Sequence, residues 1–322
     1  MKNKWIFFLC LTCISFSNQY DDSILSVGFW NVENLFDLEN DPDKRDDEFS
    51  LNGRKKITKE IYDLKIKNSA EVLYDLNVDV LGLCEVENRK GLNDLNNSYR
   101  FRNYSIIHYE SPDERGIDNA LLYDKDNFSI ITSKPIRNNL GGNDKTRDIL
   151  YVKGLYKNSV LHIFVNHWPS NYGGKELAIP KRKSTALLIM KQISQIQKND
   201  NNAEIILLGD FNEDPSDENV KLLYDLGFVS LMEPMIGEPK TGTYLYRGKD
   251  YFYDQIIINK ALNDDQKLKV INNSIYILDL PKYRQQEGNY KRYPYRFWAG
   301  NRLLGGYSDH LAVKVNIRKI AK

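Results

Sequence analysis

Short apolar segments, each followed at once by polar side chains, recur along this chain of 322 residues. The polar residues at these ends lie far apart in the sequence: Asn31, Glu85, Asn166-His167, Asp210-Phe211-Asn212, Asp254 and Asp309-His310. Strand ends that gather at one edge of a sheet are where open α/β folds build their sites. The pattern therefore predicts an α/β fold in which these distant residues meet.

The periodicity of apolar residues predicts three helices, at 57–76, 184–197 and 216–225, with Ser216 as the N-cap of the third. Strands are predicted at 24–32, 78–85, 120–123, 128–132, 149–153, 160–166, 204–209, 253–259, 269–277 and 311–317. Neither an internal repeat nor a long linker separates them. We therefore expect one catalytic domain spanning residues 18–322.

The first 17 residues differ from the rest of the chain. Lys2 and Lys4 precede an uncharged apolar run, residues 5–16, which is short for a membrane helix. Ser15-Phe16-Ser17 forms a small-x-small cleavage signal at its end. This pattern is typical of a signal peptide at residues 1–17 and predicts an exported protein, periplasmic or secreted. A buried N-terminal strand is the alternative. A lipid anchor at Cys13 is another, although residues 10–12 form a poor lipobox.

Cys84 is the one cysteine that remains after the predicted signal peptide. A single cysteine cannot form an internal disulfide, so the fold must depend on its core. Cys84 lies in an apolar run, which favours an inert buried thiol over a nucleophile.

Composition narrows the classes of function. The chain has 45 Lys+Arg against 44 Asp+Glu, and 41% of its residues are apolar. These values exclude a wholly disordered chain and a multi-span membrane protein. They also exclude a protein whose overall charge drives binding to nucleic acid or anionic lipid, while a local basic patch is allowed.

The polar strand ends combine carboxylates, carboxamides and two histidines, His167 and His310. Oxygen donors of this kind suit a hard cation, Mg²⁺ or else Mn²⁺ or Ca²⁺, and not a thiolate-bound zinc. Histidines can supply an acid and a base near neutral pH. Together these groups indicate hydrolysis of a phosphoester. The other two histidines, His108 and His162, are interpreted as structural.

Each motif alone also has a structural interpretation. Residues 209–215, GDFNEDP, are typical of a turn and helix cap. Residues 308–310 are consistent with a loop, and residues 166–169 with a strand that ends at a proline.

The order of the motifs favours a functional interpretation. They are Trp30-Asn31-Val32-Glu33-Asn34, Leu83-Cys84-Glu85, Asn166-His167-Trp168-Pro169-Ser170, Gly209-Asp210-Phe211-Asn212, Tyr253-Asp254-Gln255 and Ser308-Asp309-His310. In this order, over residues 27–317, they resemble the endonuclease/exonuclease/phosphatase superfamily of DNase I-like proteins. The resemblance implies a four-layer α/β sandwich, with two mixed β-sheets packed face to face and helices outside. It also implies a divalent-metal-dependent phosphoesterase.

The resemblance implies a role for each motif. Asn31 and Glu85 correspond to metal ligands, with Asp309 as a further ligand or near neighbour. The other five residues correspond to catalytic groups: Asp210 and Asn212 orient water and phosphate, Asp254 partners His310, and His167 is shared with DNase I-like and sphingomyelinase-like members. Whether Asp210 or His310 is the general base stays open.

Two further roles rest on weaker matches. Arg147 resembles an arginine that binds a phosphate oxygen in DNase I-like members, and its alternative is a solvated charge. Asp118 precedes a predicted strand and is a candidate to orient His167, with an exposed turn aspartate as the alternative.

Residues 282–302 bear on the substrate. Six basic residues alternate with aromatic residues in this segment, which leads into the motif at 308–310. This composition is typical of a nucleic-acid contact surface, and residues 181–183 are candidates to line the same groove. A surface loop and a lipid interface are alternatives. We therefore expect a monomeric endonuclease that acts on DNA or RNA. A phosphatase or sphingomyelinase-like phosphodiesterase is one alternative. A non-catalytic nucleic-acid-binding module is another.

Overall fold

The computed structural model describes residues 23–142, 144–264 and 266–320. The predicted signal peptide and Cys13 lie outside these residues. Within them, no helix is both long enough and apolar enough to cross a membrane.

The first sheet has seven strands and is mixed. They are β1 (Ile24–Leu35), β2 (Val80–Val86), β3 (Ser105–His108), β4 (Asp118–Tyr123), β13 (Leu268–Val270), β14 (Tyr276–Ile277) and β17 (Val313–Lys319). Their spatial order is β13-β17-β1-β2-β4-β3, and β14 also pairs with β17. β1 and β2 are parallel, so their carboxyl ends lie at the same edge.

The second sheet has six strands and is also mixed. They are β5 (Ser129–Ile136), β6 (Ile149–Tyr156), β7 (Ser159–His167), β8 (Glu204–Asp210), β9 (Phe228–Ser230) and β12 (Asp254–Asn259), in the order β5-β6-β7-β8-β12-β9. β7 and β8 are its parallel pair. Two small hairpins lie apart, formed by β10 (Tyr244–Tyr246) with β11 (Lys249–Tyr251), and by β15 (Trp298–Ala299) with β16 (Arg302–Leu303).

Four α-helices cover the sheets: α1 (Lys59–Leu76), α2 (Arg89–Ser98), α3 (Lys175–Asn199) and α4 (Glu218–Tyr224). Short 3-10 helices occupy Glu233–Met235, Lys260–Leu262 and Pro281–Tyr283. The side chains of Thr58 and Asn88 cap α1 and α2 by accepting hydrogen bonds from Ile61 N and Gly91 N. Such caps satisfy amide groups that have no partner within the helix.

Three apolar cores separate the layers. One lies between the sheets and joins residues such as Phe29 and Val165. A second packs α1 and α2 against the first sheet, and a third packs α3 and α4 against the second. This arrangement confirms the predicted α/β fold with two mixed sheets.

The structure corrects several predicted elements. The predicted strand 269–277 is two short strands, β13 and β14. β3 and α2 were not predicted; both are short, and α2 buries only Gly91, Leu92 and Leu95. The N-cap of α4 is Asp217, not Ser216.

Helix α3 begins nine residues before its predicted start and contains Pro180. Proline lacks an amide donor and usually marks a helix boundary, which hid this extension. A tertiary contact anchors it. Arg182, fully buried, donates to Glu213 Oε1 at 2.7 Å and to Pro169 O at 3.0 Å. Arg182 therefore does not line a groove, contrary to the prediction for residues 181–183.

Candidate active site

The carboxyl ends of the two parallel strand pairs form the site. β1 and β2 contribute Asn31 and Glu85, and β7 and β8 contribute His167 and Asp210. Several residues at these ends have positive φ, namely Glu33 (53°), Asn34 (59°), Glu85 (61°) and Asn212 (50°). Non-glycine residues seldom adopt this conformation, and it turns the chain sharply at the strand end. The convergence expected from the sequence is present.

Asp210 lies at the centre of the polar cluster. Its Oδ2 accepts a hydrogen bond from Asn31 Nδ2 at 3.2 Å and lies 3.8 Å from both His167 Nε2 and His310 Nε2. Glu85 Oε1 lies 3.9 Å from His167 Nε2. Separations of 3.8–3.9 Å exceed hydrogen-bond distance, so His167 lies close to Glu85 and Asp210 but is not hydrogen-bonded to either.

His310 is held from several sides. Its Nδ1 lies 2.7 Å from Oδ2 of Asp254, a fully buried residue. The Tyr244 ring stacks on the imidazole with centroids 4.7 Å apart. Burial alone would lower the pKa of His310, but the carboxylates of Asp254 and Asp210 outweigh burial and hold that pKa well above its usual value. The imidazole is thus protonated near neutral pH.

The other two central groups titrate differently. Burial raises the pKa of Asp210 to about 6, against the opposing effect of His310. Asp210 is therefore mostly ionised at neutral pH. Burial, followed by the charge of Arg147, lowers the pKa of His167 well below its usual value, so this imidazole is neutral. Burial raises the pKa of the Cys84 thiol, which agrees with its interpretation as inert.

The predicted metal ligands lie on the side of the first sheet. Glu85 Oε2 accepts from Asn34 N at 3.0 Å, and its Oε1 faces His167. Asn31 Oδ1 accepts from Glu33 N at 3.0 Å. Asp309 Oδ2 accepts from Arg296 at 2.9 Å. All three residues offer oxygen atoms, and this donor set fits a hard divalent cation.

Three residues of the site, Asp210, Asp254 and His310, are also of the types that bind metal ions. Ligand atoms of Asp210, Asp254 and His310 lie within 4.8 Å of one another. Within this group, His310 Nδ1 and Asp254 Oδ2 are in direct contact at 2.7 Å, and all three residues are buried.

Glu33 was not assigned a role in the sequence analysis, although it lies between the two asparagines of the first motif. Its buried carboxylate accepts from Phe297 N at 2.6 Å and Trp298 N at 3.0 Å, and it pairs with Arg296 at 3.4 Å. Burial, reinforced by Asp309, raises the pKa of Glu33 to about 7. Glu33 thus fastens residues 296–298 to the end of β1. Its position within the motif was the available signal.

Arg147 is buried and forms hydrogen bonds with the backbone at the end of β7. It donates to the carbonyl oxygens of His167 at 3.1 Å and Trp168 at 2.8 Å, and to Asp113 Oδ2 at 3.3 Å. The alternative interpretation of Arg147 as a solvated charge is therefore wrong. Phosphate binding by Arg147 stays a prediction.

The structure corrects the expectation that Asp118 orients His167. Asp118 instead accepts from Ser111 N at 2.8 Å and lies 3.1 Å from His108 Nε2. The pairing of β3 with β4 explains this, because it sets His108 opposite Ala120, two residues from Asp118.

Asn212 Nδ2 donates to Trp168 O at 3.1 Å, and Asn212 N donates to Asp210 Oδ1 at 2.9 Å.

The basic segment 282–302 is largely neutralised within the molecule. Four of its basic residues form ion pairs: Lys282 with Glu71 and Asp75, Arg284 with Asp279, Arg292 with Asp250, and Arg296 with Glu33 and Asp309. Lys291 and Arg302 are exposed, and no ion pair is observed for either within the described residues. The free positive charge is therefore smaller than the sequence suggested.

Comparison with known proteins agrees with this fold. Residues 26–319 match the family described as the Endonuclease/Exonuclease/phosphatase family. This match covers most of the chain, which therefore belongs to that family. Superfamily members are divalent-metal-dependent phosphoesterases and nucleases. No curated protein matches the chain.

Solved structures share the fold at low sequence identity. A truncated Caenorhabditis elegans TDP2 is 19% identical, with 92% of this chain and 97% of that chain covered at a TM-score of 0.59. The human Nocturnin catalytic domain with bound sulfate is 18% identical, with 92% and 95% covered at 0.59. D. rerio TDP2 complexed with a single-strand DNA product is 15% identical, with 92% and 100% covered at 0.59.

Proposed function

We propose that this protein is a divalent-metal-dependent phosphodiesterase that cleaves nucleic acid, with Mg²⁺ as its metal. The observation that carries the proposal is the position of His310, which is bonded to Asp254 at 2.7 Å and faces Asp210 across 3.8 Å. A protonated imidazole beside an ionised carboxylate supplies a donor for phosphate and an acceptor for water in one place.

The different protonation states of Asp210 and His310 give them different roles in the proposed reaction. Asp210, with a pKa of about 6, is ionised at neutral pH and accepts the proton of the attacking water. His310 is protonated and donates from Nε2 to a phosphate oxygen, while Asp254 holds its Nδ1. Asn31 orients Asp210 through its amide. His167, a neutral imidazole, lies between Glu85 and Asp210, with Nε2 3.9 Å and 3.8 Å from their carboxylates.

Asn31, Glu85 and Asp309 are the residues that would hold the cation. When bound, it would neutralise charge that develops on the phosphate and its leaving oxygen. Arg296 holds Asp309 by a hydrogen bond of 2.9 Å, and Glu33 in turn holds the backbone after Arg296. These contacts restrict the direction of the Asp309 carboxylate.

Nucleic acid is preferred as substrate on two grounds. Lys291, which follows exposed Tyr290 in the sequence, and Arg302 are exposed and available for phosphate contacts. D. rerio TDP2, which has the same fold, binds a single-strand DNA product. The internal pairing of four basic residues favours the second candidate, a phosphatase or phospholipid phosphodiesterase that uses the same site on a smaller ester.

Cleavage assays test the proposal. Supercoiled plasmid and an end-labelled oligonucleotide are incubated with the purified protein, with Mg²⁺ or with excess EDTA. We expect cleavage that EDTA abolishes and that His310→Ala lowers at least 100-fold, because removal of one acid–base group typically costs 10²–10⁴-fold.

The matched control is His162→Ala, which removes a histidine that contacts Tyr151 outside the site. It should retain most of the activity. Full activity in His310→Ala would contradict the mechanism. A folded protein that cleaves neither substrate, but hydrolyses nitrophenyl phosphodiesters or a phospholipid, would support the second candidate.

We also propose that the protein is exported. Support comes from the basic start, the short apolar run and the small-x-small signal Ser15-Phe16-Ser17. Mass spectrometry of the mature N-terminus tests this. A chain that begins at Asn18 supports export, and a chain that retains residues 1–17 contradicts the proposed cleavage.

A further inference from the structure

A second cluster of metal-binding side chains lies outside the candidate active site, at the outer edge of the first sheet. His108 ends β3, Asp118 begins β4, and Glu110 lies in the loop that joins them. One ligand atom from each lies within 4.8 Å of those of the other two. Because β3 and β4 are paired antiparallel, the position of His108 relative to Asp118 is set by the sheet.

The two deeper members of this cluster are preorganised. The Asp118 and His108 side chains are 1% and 4% exposed, and His108 Nε2 lies 3.1 Å from Asp118 Oδ2. Asp118 Oδ1 accepts from Ser111 N at 2.8 Å, which fixes the direction of the carboxylate. Glu110 is exposed and gives solvent access to the group.

The charge of the cluster is incompletely balanced. Glu110 and Asp118 are two carboxylates in close contact, and burial together with the charge of Asp118 raises the pKa of Glu110. The nearby ammonium group of Lys44 donates instead to two backbone oxygens, Ser111 O at 3.1 Å and Asp113 O at 3.2 Å. A bound cation would relieve the repulsion between the carboxylates.

We propose that His108, Glu110 and Asp118 form a site for a second divalent cation, separate from the cation at the candidate active site. One imidazole nitrogen with two carboxylate oxygens suits Zn²⁺ or Mn²⁺, whereas Mg²⁺ and Ca²⁺ prefer oxygen donors alone. Three protein ligands on an exposed edge leave coordination positions for water. Binding at this site does not depend on the proposed hydrolytic function.

Hydrogen bonds connect the loop of the proposed site to the backbone of His167. The loop between β3 and β4 carries Asp113, which receives a hydrogen bond from Arg147 at 3.3 Å. Arg147 also donates to the carbonyl oxygen of His167 at 3.1 Å. A cation that ties Glu110 to His108 and Asp118 would therefore restrain the loop that anchors Arg147.

Metal binding in a Glu85→Gln background tests the site, because this change weakens the predicted catalytic metal site. Equilibrium dialysis with Zn²⁺ or Mn²⁺ counts bound ions, and Co²⁺ absorption reports an imidazole ligand. We expect one bound ion per chain, and a loss of at least tenfold in its affinity when His108→Ala is added. The addition of His162→Ala should leave the affinity unchanged.

Glu110→Gln provides a second variant for the case that His108→Ala disrupts folding, because Glu110 is exposed. It should also weaken binding at least tenfold. Each metal should raise the thermal midpoint of the Glu85→Gln protein and not of the Glu110→Gln double variant. No bound ion in Glu85→Gln, or equal affinity with and without Glu110→Gln, would overturn the proposal. None of these readouts requires phosphoester cleavage.

Discussion

At the scale of the residue, neighbouring charges make side chains of the same type behave differently. His167 and His310 are both buried, and both face Asp210 at 3.8 Å. His310 also has Asp254 at 2.7 Å, whereas His167 has the cation of Arg147 nearby. The pKa of His310 is raised because its carboxylate neighbours outweigh the effect of burial, whereas burial, followed by the charge of Arg147, lowers the pKa of His167. Local environment therefore keeps one imidazole protonated near neutral pH and leaves the other neutral.

Asp254→Asn tests this division at nearly constant shape. We expect kcat to fall at least 100-fold, because the amide cannot stabilise the imidazolium. The pKa of His310 should also fall, so the alkaline limb of the pH profile of kcat/KM moves to lower pH. Measurement of kcat/KM from pH 5 to 10 checks both effects.

Asp279→Asn is the matched control, since Asp279 pairs with Arg284 and not with a histidine. Its profile should resemble that of the unaltered protein. An unchanged alkaline limb in Asp254→Asn would show that His310 does not act as the protonated donor.

At the scale of the element, buried polar contacts connect strands that are distant in sequence. Glu204 begins β8 and accepts a hydrogen bond from Leu268 N at the start of β13, which belongs to the other sheet. The second oxygen of Glu204, Oε2, is buried and has no hydrogen-bond partner among the residues that the structure describes. Burial raises the pKa of Glu204 to about 7, against the opposing effect of the Leu268 amide.

This pKa predicts that stability depends on pH. The folded protein binds the proton more tightly than the unfolded chain, so the free energy of unfolding should fall as pH rises from about 4.5 to about 7. The Glu204 contribution to this loss should be on the order of 3 kcal/mol. Glu204→Gln cannot ionise and should remove that contribution, as urea unfolding at several pH values would show.

Glu238→Gln changes an exposed acid and serves as the control. Its pH dependence should match that of the unaltered protein. If Glu204→Gln retains the full dependence between pH 5 and 8, the ionisation of Glu204 does not contribute to it.

At the scale of the whole molecule, the arrangement of charge limits how the protein can bind nucleic acid. The chain has a formal net charge of +1, and carboxylates pair with four of the six basic residues in the segment 282–302. Few lysines and arginines in this segment are then free to displace counterions from a phosphate backbone. We expect affinity for nucleic acid to have a modest salt dependence.

Binding to a labelled single-stranded oligonucleotide at several salt concentrations tests this expectation. Lys291→Ala and Arg302→Ala should each lower the slope of log K against log [salt] by about one if the side chain contacts a phosphate. Lys282→Ala is the matched control, because Lys282 already pairs with Glu71 and Asp75. A larger effect of Lys282→Ala than of the other two would show that its ion pairs open on binding.

The amino-acid sequence by itself determined the class of fold and the identities of most residues in the candidate site. Apolar runs of strand length and their polar ends are local features, and the motifs at 30–34, 209–212 and 308–310 can be recognised without the structure. Tertiary structure decided which of these residues meet. Asp118 joins His108 and not His167, and Glu33 of the first motif accepts from the backbone amides of Phe297 and Trp298.

Long-range packing also decided features that local patterns conceal. Helix α3 continues through Pro180 because the buried contact of Arg182 with Glu213 offsets a local breaking signal. The basic segment 282–302 has a composition typical of a nucleic-acid surface, yet its partners Glu71, Asp250 and Glu33 come from remote parts of the chain. Local propensity and periodicity extend over a few residues, whereas charge pairing and burial depend on neighbours that only the folded chain brings together.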